Sequence, residues 1–167
     1  LFHTIDEFTA TWSYESAGTQ KLLDALTDAS LAQAVVPGGR TIGRLAWHIA
    51  QSIPEMMART GLRVTGIGEH DPVPATAAAI AAAYRAASAS LVEQMRAHWT
   101  DATLQQEDDM YGERWSRAMT LTALVSHQTH HRGQLTVLMR QAGLPVTGMY
   151  GPSEQEWAGM GMAPPPV

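Results

Sequence analysis

Within Ser126-His127-Gln128-Thr129-His130-His131-Arg132-Gly133-Gln134, His127 and His131 stand four positions apart in a stretch of strong helical character. At about 3.6 residues per turn and 1.5 Å of rise per residue, that spacing stacks two imidazoles on one face, roughly 6 Å apart along the axis. Two neutral imidazoles so placed can share one divalent metal ion. His48, in Trp47-His48-Ile49-Ala50, offers a third nitrogen from elsewhere in the chain. Three histidine ligands leave coordination positions for water or substrate, the pattern of an open catalytic site. An ion held there can acidify bound water, steady a developing oxyanion or hold a substrate thiolate. The sequence has no cysteine, so any metal is held through nitrogen and oxygen. Imidazoles suit zinc, nickel, iron or copper.

The residues around the pair give the histidines their weight. Leu124, His127, His131, Leu135, Leu138 and Ala142 follow steps of three and four, which is one helix face. A buried imidazole without a partner costs on the order of 1 to 3 kcal/mol, so two in a core need compensation. A shared metal provides it, and so does a mutually satisfied structural pair or a stripe that meets solvent at one end of a bundle. His48 sits roughly 100° round from the centre of its own stripe, a flank position that suits a boundary residue as well as a ligand. His130 points about 100° away from either partner and reads as an outer hydrogen-bond donor or a solvent residue. Gln134, one turn beyond, reads as a group that fixes an imidazole tautomer or as a solvated helix residue. His3, His70 and His98 lie near segment ends or in a loop and read as solvated.

Four long helical segments must position these groups. The first runs from about Thr4 to Leu26, with Ile5, Phe8, Trp12, Leu22 and Leu23 on its apolar side. Pro37-Gly38-Gly39 breaks the chain, and Thr41 is placed to cap a second helix carrying Ile42, Leu45, Ile49, Ile53 and Met56. Pro54 predicts a kink between Ala50 and Pro54, or a helix that ends there and restarts. The stretch from Gly61 to Pro74 has no period and reads as a long crossover. Alanine-rich helix three follows from Ala75 to His98, with Ile80, Tyr84, Leu91 and Met95 as its bulkier contacts. Residues from Thr100 to Arg117 predict a turn or a short strand-like excursion. Helix four spans about Thr120 to Ala142, stopped by Gly143 and Pro145. In the remainder, Ser153 is placed to cap one short turn.

Composition limits the functions open to the chain. Its 167 residues suit a single domain, 1–167, and 45% hydrophobic with 16% charged residues describes a globular protein. A formal charge of −5, with no cluster of Lys or Arg, argues against nucleic acid as a partner. No run of about twenty apolar residues could span a membrane, and a cytoplasmic protein is the simplest reading. Neither a phosphate-binding glycine pattern nor a Gly-x-Ser-x-Gly elbow is present. Glu107, Asp108 and Asp109 are a possible carboxylate source, although such a run is usually a solvated loop. The methionines, including Met56-Met57, fit core gaps better than a cofactor site.

Trp47-His48-Ile49-Ala50, the string from His127 to Gln134, and Leu138-Met139-Arg140-Gln141-Ala142-Gly143-Leu144-Pro145 together resemble the DinB-like superfamily of damage-inducible bacterial proteins over most of the chain. The most specific element is His-x-x-x-His-Arg-Gly-Gln with its Gly-Leu-Pro helix stop, and Tyr150-Gly151-Pro152 with Trp157 is similar to the tail of some members. The resemblance implies an all-α, four-helix bundle of up-down-down-up connectivity, with the long crossover between helices 2 and 3, and a homodimer. It implies a metal site at His48, His127 and His131, holding a divalent transition metal such as zinc, nickel or iron. Members with known activity imply a metal-dependent thiol S-transferase, or a hydrolase. Such a transferase would add a low-molecular-weight thiol such as bacillithiol to an electrophilic small-molecule substrate. The competing expectation is a non-catalytic, stress-associated metal-binding protein or an oligomeric scaffold.

Overall fold

Four hydroxyl side chains set where the long helices begin. A computed structural model describes residues 1–68 and 70–166. Its helices α1 (Ile5–Asp24), α2 (Ile42–Ala58), α3 (Ala77–His98) and α4 (Arg117–Gln141) start directly after Thr4, Thr41, Thr76 and Ser116. Each of these side chains accepts a hydrogen bond from the backbone N–H three residues on, satisfying a donor that the helix itself cannot. The caps explain the departures from the expected boundaries. Thr76 moves the start of α3 from Ala75 to Ala77, and Ser116 moves that of α4 from Thr120 back to Arg117. α1 closes at Asp24, short of Leu26. The end of α4 is as expected: Gly143 is left-handed at φ 72°, and Leu144 N–H returns to the Met139 carbonyl at 2.9 Å. α2 runs unbroken through Pro54, so the alternative of an end and restart there is not realised.

The long helices pack in four pairs: α1 with α3, α1 with α4, α2 with α3, and α2 with α4. Their apolar faces supply the core, including Phe8 and Trp12 of α1, Ile49 and Ile53 of α2, Tyr84 and Leu91 of α3, and Leu121 and Leu135 of α4. Buried Ala77, Ala81 and Ala87 face the core along α3, where small side chains allow close approach. The connection 59–76 is laid over the bundle and tied down. Trp47 Nε1 donates to the Asp71 carbonyl at 3.0 Å, and Thr65 N–H donates to Ser90 Oγ at 2.9 Å. Leu62, part of this connection, is buried. None of the described helices is long and apolar enough to cross a membrane.

The molecule is mostly helical, as expected of an all-α protein, and the strand-like excursion expected between Thr100 and Arg117 is a small two-stranded sheet. Strands β1 (Glu107–Met110) and β2 (Glu113–Ser116) form an antiparallel hairpin, pairing Glu107 with Ser116 and Met110 with Glu113. Its two-residue turn places Tyr111 and Gly112 at φ 62° and 87°, the two consecutive positive angles of a type I′ turn. Met110 is buried and Asp108 pairs with Arg117 at 3.0 Å, so the excursion is anchored to the start of α4. A short helix, α5 (Glu154–Gly159), follows Ser153 near the C-terminus.

Candidate metal centre

Three imidazole nitrogens converge where α2 and α4 face each other. His127 Nε2 lies 3.2 Å from His48 Nε2 and 3.1 Å from His131 Nε2. The ligand-competent atoms of the three residues all fall within 4.8 Å of one another. The rings meet edge to face, with centroids 4.4 to 4.9 Å apart. His131 is buried, and His48 and His127 are half-buried.

Protons alone satisfy this cluster poorly. His127 Nε2 meets two nitrogens, yet a neutral imidazole nitrogen is either one donor or one acceptor. His127 Nδ1 is buried without a hydrogen-bond partner, so whichever tautomer the ring adopts leaves a polar atom unpaired. A divalent ion removes the conflict at Nε2 by taking all three Nε2 lone pairs, and it fixes His127 as the Nδ1–H tautomer. Two nitrogens each about 2.0–2.1 Å from a common ion lie roughly 2.9 to 3.4 Å apart for octahedral to tetrahedral angles. Both short spacings fall in that interval. The residues therefore fit a metal ion.

The surroundings keep the rings neutral, the form that ligates. Burial, followed by the neighbouring His131 and His127 and then Arg40 and Arg44, pushes His48 down to about 4. Burial, then His131 and His130, pushes His127 down to about 4 as well, against a weak opposing pull from Glu55. His131 is lowered chiefly by burial, and its bond to Gln134 works in the other direction. Gln134 Oε1 lies 2.8 Å from His131 Nδ1, and Gln134 Nε2 lies 3.0 Å from His130 Nε2. With the amide oriented so that Nε2 donates to His130, Oε1 accepts from His131 Nδ1–H and leaves His131 Nε2 as a lone pair. His130 is thus joined to the cluster through Gln134, which engages its Nε2, and is not itself one of the converging ligands.

The site also depends on polar residues that the helical periodicity hides. Gln128 is fully buried and donates to the Ile49 carbonyl at 2.8 Å and to Ser52 Oγ at 3.0 Å, tying α4 to α2 beside His48. Arg132, adjacent to His131, is buried in an ion pair with Glu15 of α1. Its guanidinium also reaches the Glu15 carbonyl at 2.9 Å, Thr19 Oγ1 at 3.1 Å, Thr129 Oγ1 at 3.0 Å and Tyr150 OH at 2.8 Å. Gln128 and Arg132 lie deeper than His127, so the buried face of α4 is rotated from the stripe Leu124, His127, His131, Leu135. A polar residue one position from a leucine–histidine stripe was the available signal, and it reads equally well as a solvated flank.

A cleft of about 660 Å3 opens on the cluster, lined by His48, His127, Glu55, Tyr111 and Trp115 among others. His70 also lines it, although it is exposed as its loop position suggests. His3 and His98 are exposed and apart from the cluster. Glu107 and Asp108 are engaged by Arg114 and Arg117, so the acidic run serves the hairpin.

Comparison with known proteins finds relatives that span nearly the whole chain. The chain is 44% identical over 165 residues to the uncharacterized protein YrdA of Bacillus subtilis strain 168, covering 99% of both chains. It is 46% identical to a DinB-like protein of Bacillus cereus ATCC 10987 whose crystal structure superposes with a TM-score of 0.87, over 90% of this chain and 100% of that one. A second crystal structure, the DinB-like protein YjoA of Bacillus subtilis, shares the fold at a TM-score of 0.65 and 17% identity, over 82% of this chain and 92% of that one. The family model described as DinB family matches residues 2–165. With the three-histidine cluster set between α2 and α4, and a match that spans nearly its whole length, the chain belongs to the DinB family.

Proposed function

We propose that this protein is a metal-dependent enzyme that moves a low-molecular-weight thiol onto an electrophilic small molecule, with His48, His127 and His131 holding a zinc, nickel or iron ion. The observation that carries this reading is the convergence of three neutral imidazoles at the edge of a cleft, with no carboxylate in the cluster among the described residues. A divalent ion held there would acidify a thiol, so that the thiolate is present at neutral pH. The chain's own residues then do the rest. Burial holds the imidazoles in their ligating form, Gln134 orients His131, and Gln128 keeps the His127 and His48 turns in register. Trp115 and Met56 give the cleft an apolar wall for the electrophile. We take the bundle to be up-down-down-up, a reading supported by the packing of α2 on α3 through the long connection 59–76.

Metal analysis of untagged protein, beside H48A, H127A and H131A, tests the site. The expected result is about one ion per chain, lost in each variant, together with metal-dependent consumption of thiol in the presence of an alkylating fluorophore. Full metal retention in all three variants overturns the site. Bound metal whose removal lowers the melting temperature, with no turnover of any thiol offered, overturns the enzyme and leaves a metal-binding scaffold.

A further inference from the structure

The cleft runs along α2 from Arg44, beside the histidines, to Arg59 beneath the hairpin turn. Its charges are unevenly matched. Among the described lining residues Glu55 is the acid, and both its oxygens are taken: Oε1 by Arg59 Nε at 2.9 Å and Oε2 by Tyr111 OH at 2.7 Å. Arg59 is further held under the Tyr111 ring, 4.1 Å from its centroid. That end of the cleft is electrically closed.

Arg44 differs. It has no acidic partner among the described residues. Its Nη1 donates to Gln51 Oε1 at 3.0 Å, and Gln51 is anchored in turn to the crossover by the Gly68 carbonyl at 3.1 Å. A neutral amide therefore positions the guanidinium without cancelling its charge, and other N–H donors are left for a ligand. Arg44 also stands in the first turn of α2, where the helix end disfavours a cation, so helix stability does not account for it. Arg40, just before the Thr41 cap, adds positive potential at all three histidines. Arg44 and His48 are an i, i+4 pair, which sets their Cβ atoms about 6 Å apart on one face of α2, and both side chains line the cleft.

We propose that Arg44 is the anion subsite of this cleft, and that the cleft selects a small organic thiol that also carries a carboxylate. The carboxylate pairs with Arg44 while the sulfur faces His48 and His127. The proposal rests on the metal reading above for the sulfur end, and on Arg44 alone for the carboxylate end.

The two ends can be tested separately with 3-mercaptopropionate and its uncharged counterpart 3-mercapto-1-propanol. Titrated into cobalt(II)-loaded protein and followed by the sulfur-to-cobalt charge-transfer band, the carboxylate should bind at least about tenfold tighter. R44Q should level the two thiols, and R44K should keep part of the preference. Arg44 is exposed, so neither change disturbs the core. Equal binding of both thiols by the wild type, or an undiminished preference in R44Q, overturns the proposal. If the protein takes up no cobalt, the same titration is read by tryptophan fluorescence, since Trp115 lines the cleft. A carboxylate preference that R44Q abolishes then upholds the anion subsite and sinks the metal reading, whereas no preference sinks both.

Discussion

Gln128 of α4 donates through Nε2 to the backbone carbonyl of Ile49 in α2, at 2.8 Å, and so couples the residue after His127 to the residue after His48. Both partners are buried, where one such bond between helices fixes their relative rotation as well as their spacing. Ser52 Oγ receives the second amide hydrogen at 3.0 Å, while Gln128 Oε1 is buried without a partner.

Replacing Gln128 separates positioning from stability. Q128A should lower unfolding free energy by about 2 to 3 kcal/mol through lost packing and lost hydrogen bonds. Q128M keeps most of the volume and also removes the orphaned oxygen, so it should cost clearly less. Both should weaken metal binding by about tenfold or more, because both free the two helices to shift. Urea unfolding of the metal-free variants, beside competitive chelator titrations, checks the two effects. Metal affinity that tracks stability across the pair would remove the positioning role.

The buried pair of Glu15 and Arg132 makes a different prediction. Tyr150 OH lies 2.7 Å from Glu15 and 2.8 Å from Arg132, so the C-terminal segment closes a network that joins α1 to α4. E15Q leaves the Arg132 charge buried with no counter-charge and should destabilise by about 3 to 5 kcal/mol. The double change E15M/R132M replaces both charges with apolar groups and should recover much of that loss, although Thr19, Thr129 and Tyr150 lose a partner. Denaturant unfolding of the single and double variants measures the difference. A double variant less stable than E15Q would contradict this account.

These residues also mark where sequence reasoning stopped. The His127 and His131 pair was legible because i, i+4 spacing is a local property, and caps such as Thr41 were legible for the same reason. His48 on the flank of its stripe was not secured by periodicity, because its partners lie on another helix 79 positions away. The family resemblance supplied it. Gln128, Arg132 and Glu15 escaped because a polar residue in a helix reads as solvated until tertiary packing places its partner. The hairpin was half legible: Gly112 signals a turn, but Tyr111 is not a residue that sequence rules put at positive φ.

Acid should weaken the metal-free fold in a defined window. His48 and His127 are pushed down to about 4 in the folded protein, against about 6.5 in the unfolded chain. Between those values the unfolded state binds more protons, so stability rises with pH. It is complete above about pH 6.5 and is lost progressively as pH falls toward 4. Thermal melts of metal-free protein should be flat from pH 7 to 8 and should drop below pH 6.5, less steeply in H48Q and H127Q. An identical slope in both variants would place the transition on other groups.

Gly133 offers a control close to the site. It lies inside α4 with ordinary helical φ, is exposed, and a methyl group added there meets nothing within 4 Å. G133A should therefore stabilise the protein by about 0.5 to 1 kcal/mol, since glycine is a poor helix residue and no contact opposes the change. Metal content should be unchanged. Destabilisation in urea would contradict this account.

Tyr111 holds a left-handed backbone at φ 62°, where a tyrosine is strained and asparagine is at ease. Its ring and hydroxyl compensate through Arg59 and Glu55, both of which line the cleft. Burial and the Glu55 carboxylate push the phenol up to about 12, so it remains a donor throughout the neutral range. Y111N relieves about 1 to 2 kcal/mol of strain and loses a cation–π contact and a hydrogen bond of similar combined size. Stability should accordingly change by less than about 1 kcal/mol, whereas the freed Glu55 and Arg59 should alter thiol binding in the cleft. Unfolding in urea checks the first half and thiol titration the second. A stability loss well above 2 kcal/mol would make the tyrosine a fold residue, and unchanged thiol binding would separate the hairpin turn from the site.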